Sequence, residues 1–188
     1  ATVASFLGNV LFIIILYLMY KKDIDSEAKT FVKDFKNNFK TGFKYYFAGL
    51  TAMIISNLFI SVIIKDVSAN ENLVREMLYK MPIYTMVSIS IIAPLSEELT
   101  FRKSVDPLIK NKWLYASFCG LLFAACHLVA GDFKLINLLY LIPYGSLGFS
   151  FALMDRETKT TFTSIMMHML HNTMTGILLL LVYKLGAV

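Results

Sequence analysis

The stretch MPIYTMVSISIIAPLSEELTFR, residues 81–102, decides how this chain is read. Residues 81–96 carry no charge, and then Glu97, Glu98 and Arg102 arrive within six positions. Charge at the border of a hydrocarbon-length segment is expensive, and ionisable groups placed there mark function. Uncharged blocks recur along the chain, at 1–20, 45–64, 81–96, 113–131, 135–154 and 160–183. Five of these six blocks reach about the 20 residues that cross a bilayer as helix. The third is short, and it is the one that meets the glutamates.

Composition agrees with this reading. Of 188 residues, 57% are hydrophobic and 16% charged, less charge than a soluble domain of this length carries. The expected fold class is all-α: a polytopic helical membrane bundle of about six transmembrane helices. Residues 1–188 read as a single membrane domain, with no internal repeat, low-complexity segment or linker. Block 1–20 has no basic flank before it and no small-residue cleavage site before Lys21, so it reads as a span rather than a signal peptide. Cys119 and Cys126 lie seven apart on one expected helix, about 10 Å along its axis, too far for a disulfide.

The net charge of +5 does not call for nucleic acid, because the basic residues cluster beside the spans. Segment 21–44 holds seven lysines; 97–112 holds Arg102, Lys103, Lys110 and Lys112; 156–159 holds Arg156 and Lys159. The positive-inside tendency puts these three segments in the cytoplasm and both chain ends outside. The expected setting is a prokaryotic plasma membrane, with the site in a cavity open to the cytoplasm. Within 21–44, Phe31, Phe35, Phe39 and Phe43 recur every four residues among lysines, predicting an amphipathic helix on the inner leaflet. Ser68, Asn70 and Asn72 before Leu73 predict a short capped surface helix.

All three histidines, His127, His168 and His171, fall in the predicted spans. If the third helix continues through Glu97 to about Leu108, residues 110–112 form a turn. Glu97 then lies fifteen residues before Lys112 and His127 fifteen after it, which brings the two to equal depth in an antiparallel hairpin. Glu98 and Arg102, four apart, share a helix face and suit an ion pair. Glu97 points about 100° away and is free for another partner. His168 and Asn172 are also four apart. A carboxylate beside an imidazole activates water, and a second histidine with an asparagine supplies donors to an oxyanion. No serine or cysteine has an evident base.

Glu97-Glu98-x-x-x-Arg102, Phe123-x-x-x-His127 and His168-x-x-x-Asn172 together resemble the three motifs of the CAAX protease and bacteriocin-processing family. These are the CPBP or Abi intramembrane glutamic endopeptidases. The resemblance covers 81–183, which it makes the catalytic core, and leaves 1–80 as N-terminal spans and the interfacial helix. It implies that Glu97 and His127 activate water, that His168 and Asn172 form the oxyanion site, and that Glu98 and Arg102 support the helix carrying Glu97. It leaves His171 to packing or a supporting role. The implied substrate is a peptide or a lipidated or other membrane-associated protein, cleaved as a CAAX prenyl endopeptidase would cleave it. No cofactor is expected. Glu97, His127 and His168 do have metal-ligand chemistry, but the chain lacks a His-Glu-x-x-His signature, and the resemblance favours metal-free catalysis. The competing readings are a non-catalytic scaffold or bacteriocin self-immunity protein that binds a partner, and a proton-relay transporter. The last lacks the interrupted helix pairs such transporters use.

Overall fold

The computed structural model describes residues 2–129 and 134–186, which are helical with no strand among them. The last two residues of block 113–131 lie outside the described residues. Eight α-helices run in order: α1 Thr2–Lys33, α2 Phe35–Ile63, α3 Ala69–Lys80, α4 Pro82–Val87, α5 Ala93–Glu98, α6 Lys112–Leu128, α7 Leu141–Thr158 and α8 Thr161–Lys184. Four helical segments are long and apolar enough to cross a membrane: Ala4–Lys33, Phe35–Ile63, Leu135–Thr158 and Thr161–Lys184. Lys112–Leu128 is apolar but shorter.

Of the six expected spans, four fall on these long apolar helices, one on the shorter apolar helix and one on a composite helix. The composite runs through 82–103, with π-helical turns at Ser88–Ile92 and Leu99–Lys103 on either side of α5. It ends at Lys103 rather than near Leu108, and turns come next. Extending the short third block past its first charge is borne out, since Glu97 and Glu98 lie inside the helix.

The helix expected within 21–44 forms in part. α1 kinks at Tyr20, whose φ of −109° and ψ of 15° leave the helical region, and this sets residues 21–33 apart from the apolar segment before them. A second break falls at Asp34, whose φ of −108° and ψ of 25° also leave that region. The rest of 21–44 begins α2, whose 29 residues run about 44 Å, well past a hydrocarbon core of about 30 Å. Phe31 closes α1 and meets Phe35 edge-on at 5.5 Å, while Phe35, Phe39 and Phe43 stay half-exposed along α2. The capped helix after Ser68 is as expected: Ser68 Oγ accepts from the Glu71 backbone N–H.

The core lies where α6, α7, α2 and α8 meet. Small residues let α6 and α7 approach closely, as membrane helices without a solvent-driven core require. A Cβ on Gly148 of α7 would stand 3.1 Å from Gly120 Cα and 3.1 Å from Phe123 Cβ of α6. Polar groups tie together the end of the bundle that carries 104–112 and the α7–α8 turn. Lys103 pairs with Glu27 of α1, and Glu27 also accepts from the Thr161 N–H at the start of α8, at 2.8 Å. The buried Asp155 carboxylate accepts from Tyr115 Oη at 2.7 Å. Arg156 pairs with Asp106 at 3.0 Å and donates to the Ile109 carbonyl, which holds the turn after the composite helix. Cys119 and Cys126 are both free thiols, as their spacing predicts.

Candidate active site

Glu97 and Glu98 end α5, between the two π-helical turns. Each π turn inserts a residue and rotates the side chains after it, and such turns concentrate at functional sites. Glu98 and Arg102 are fully buried, with Arg102 Nη1 3.0 Å from Glu98 Oε1, the ion pair that their spacing predicts. The guanidinium also donates to the Gly148 carbonyl at 3.0 Å. It lies over the rings of Phe123 and Phe151, with centroids at 5.0 and 5.6 Å. A buried cation held by a carboxylate, a carbonyl and two aromatic faces is well compensated.

Glu98 has a second partner that its spacing does not reveal. Its Oε1 lies 2.8 Å from His168 Nδ1. A carboxylate paired with Arg102 accepts, so Nδ1 carries the proton and donates. The other ring nitrogen, Nε2, is turned to Glu97, 3.8 Å from its Oε2. His168 thus sits between the two glutamates, with Phe151 stacked on it at 4.9 Å. Glu98 both neutralises Arg102 and orients a histidine, so the sequence's assignment of Glu98 to support alone is too narrow.

His127 is set the same way by a different acceptor. Its Nδ1 is 2.8 Å from the Phe123 carbonyl, one turn back on α6. A carbonyl only accepts, so Nδ1 carries the proton and Nε2 is left with a lone pair. The rings of Phe123 and Tyr144 pack on the imidazole, with centroids at 4.3 and 4.6 Å. Asn172 donates through Nδ2 to the Ile89 carbonyl at 2.8 Å. Ile89 lies in the first π turn, where the backbone register shifts, so one amide proton of Asn172 is already engaged there. Among the described residues, Glu97 Oε2 is buried without a hydrogen-bond partner.

Glu97, His127, His168 and Asn172 all line one cavity of about 460 Å³. The structure brings the four sequence-predicted residues together. Glu98 and Arg102 lie behind the wall. His171, left to packing by the sequence, also lines the cavity and meets Tyr46 Oη at 3.3 Å through Nδ1. Tyr144 was not foreseen. It stands seventeen positions after His127, and no spacing rule links an aromatic on one helix to a histidine on another.

The equal-depth hairpin holds in register, although 104–108 are turns rather than helix. Phe101 meets Phe123 at 5.8 Å between ring centroids. These two lie four residues after Glu97 and four before His127, so one turn farther from the 104–112 end Glu97 and His127 come level. Both line the cavity. It extends away from the 97–112 end, to Ser68, Asn70 and Glu71 beside α3, Tyr140, and Leu179 near the far end of α8. Among the described residues, no three His, Cys, Asp or Glu side chains are grouped to hold a metal, and that includes Glu97, His127 and His168.

A family model described as type II CAAX prenyl endopeptidase Rce1-like matches residues 79–174, just over half the chain and inclusive of every residue of this cluster. The chain belongs to this family. A relative from Bacillus subtilis (strain 168), named Putative membrane peptidase YdiL, is 30% identical over 112 residues. That match covers 59% of this chain and 43% of the relative, so the chain spans less than half of the relative's length. No solved structure matches. The apolar helices and the family make this an integral membrane protein.

Proposed function

We propose that the chain is a CAAX prenyl endopeptidase-like intramembrane protease of the glutamic type. It hydrolyses a peptide bond in a peptide or membrane-associated protein with water activated by Glu97 and His127. The observation that carries this reading is the convergence of Glu97, His127, His168 and Asn172 on one cavity. Water held between Glu97 and His127 Nε2 loses a proton to that pair as its oxygen bonds to the scissile carbonyl carbon. The carbonyl oxygen becomes an oxyanion. The second amide proton of Asn172 donates to it, and so does the Nε2–H of a His168 that enters the step already protonated on both nitrogens, its second proton taken from solvent before the substrate binds and its charge balanced by Glu98. The proton then passes to the leaving amine as the C–N bond breaks.

The test uses the full chain in lipid nanodiscs with farnesylated CAAX peptides and bacterial membrane proteins as probes, and new termini read by mass spectrometry. Cleavage is expected with the wild type and in EDTA, and is lost in His127→Ala. Cleavage unchanged in His127→Ala sinks the reading. Activity abolished by EDTA and restored by zinc replaces the water mechanism with a metal one. A cellular phenotype that survives both His127→Ala and Glu97→Gln makes the protein a scaffold.

The loop charges and the cavity bear on access together. With 21–44, 97–112 and 156–159 in the cytoplasm, His168 lies about 10 Å of helix from that side, while the cavity runs toward the other. The cytoplasm-facing cavity and the positive-inside orientation therefore pull apart, and we take the loop charges as deciding. In a Cys126→Ser background, an impermeant maleimide is expected to label Asn70→Cys in intact cells and to spare Lys110→Cys. The reverse pattern would put the mouth in the cytoplasm.

A further inference from the structure

We propose that Tyr144 is a positioning residue for His127, holding its imidazole in the Nδ1–H form with Nε2 presented to the cavity. The proposal rests on the reading of His127 as a water-activating residue, but not on any measured turnover.

His127 sits in the last turn of α6, one residue before its end at Leu128. Helix ends fray, so this is a weak place from which to aim a side chain. Both of its contacts with Phe123, the carbonyl hydrogen bond and the ring contact, arise within α6 itself. They move with the turn that they would have to steady. Tyr144 adds a contact from α7, with ring centroids 4.6 Å apart and planes inclined at 29°.

Tyr144 is itself fixed at its far end. Its Oη lies 2.7 Å from Ser68 Oγ. Ser68 is buried and caps α3 by accepting from the Glu71 N–H. One aromatic side chain therefore joins the α3 cap, which borders the cavity's outer end, to a histidine at its inner end. A ring anchored at both ends restrains a neighbour more than a free ring does, because its own rotamer freedom is already spent. The hydroxyl sets where the ring lies; the ring sets how His127 lies.

A merely space-filling tyrosine would make a different prediction, and three variants separate the two. The full chain is labelled with 13C,15N-histidine in nanodiscs, and the imidazole nitrogens are read by NMR. In the wild type, His127 is expected in the Nδ1–H tautomer. Tyr144→Phe keeps the ring but loses its bond to Ser68, so it should keep that tautomer as the major form while raising Nδ1–H exchange severalfold. Tyr144→Met fills similar volume without a ring. It should raise the minor His127 tautomer or the Nδ1–H exchange rate about tenfold, with His168 unchanged. A His127 signal unaffected by Tyr144→Met overturns the proposal, as does an equal change at His168, which would mark general loosening of the bundle. If Tyr144→Met does not fold, Ser68→Ala carries the test. It should raise His127 exchange severalfold at constant His168 signal, and no change overturns the proposal. Failure here leaves the protease reading intact, and loss of the protease reading leaves this geometry to be measured.

Discussion

Arg102→Ala is expected to be the most destabilising single change among the motif residues. The side chain is fully buried and compensates Glu98 at 3.0 Å. Truncation removes the cation and keeps the carboxylate, which is left in a dry site with the neutral donors His168 and Ser164 against it. Breaking a buried pair from one side costs about 3–5 kcal/mol. The loss of packing against Phe123 and Phe151 adds to this. A fall in melting temperature of about 10 °C or more in detergent is expected, with poor recovery of monodisperse protein. The double variant Glu98→Leu/Arg102→Met removes both charges and should recover much of the stability, because apolar replacement of a buried pair is often neutral. Activity should not return with it, since His168 Nδ1 then has no acceptor. A double variant less stable than Arg102→Ala would show that the pair is worth more than its desolvation cost. The ion pair would then be the main stabilising contact of this helix.

The sequence carried some of this site and lacked the rest, for identifiable reasons. The Glu98–Arg102 pair was legible because a spacing of four on a helix is a local property, and the pair survives even though a π turn begins between them at Leu99. The bond from His168 to Glu98 was not legible. The two are seventy positions apart, and the idealised 100° separation of adjacent residues gave Glu98 one job where the bundle gives it two. Counting uncharged residues ended the first span at Tyr20, where α1 does kink, but started the second at Tyr45, although α2 begins ten residues earlier at Phe35. Lys36, Lys40 and Lys44 continue that helix rather than border it. The π turns had no signal in composition. Their effect is nonetheless specific: one frees the backbone around Ile89 to receive Asn172. Tyr144 lay beyond reach for the reason His168 did, since a contact between helices depends on how they pack.

Glu97→Gln separates chemistry from folding most sharply. The Glu97 side chain is 26% exposed, and His168 Nε2 stands 3.8 Å from its Oε2. Among the described residues that oxygen has no hydrogen-bond partner, so no structural bond is lost when it becomes part of an amide. The melting temperature should stay within about 2 °C of the wild type, since changes away from named stabilising features fall within about 0.5 kcal/mol. The amide cannot take a proton from water, and a positioned acid–base group contributes about 100- to 10,000-fold. A loss of about a thousandfold in kcat, with KM little changed, is therefore expected in a nanodisc cleavage assay, because the shape of the cavity is retained. This variant and Arg102→Ala should fail differently. One should be folded and inert, the other should be lost before it reaches the assay. A Glu97→Gln protein that keeps cleavage within tenfold of wild type would remove Glu97 from the chemistry. The base would then have to be His127, which lines the same cavity and whose Nδ1 is engaged by the Phe123 carbonyl, leaving the lone pair on Nε2.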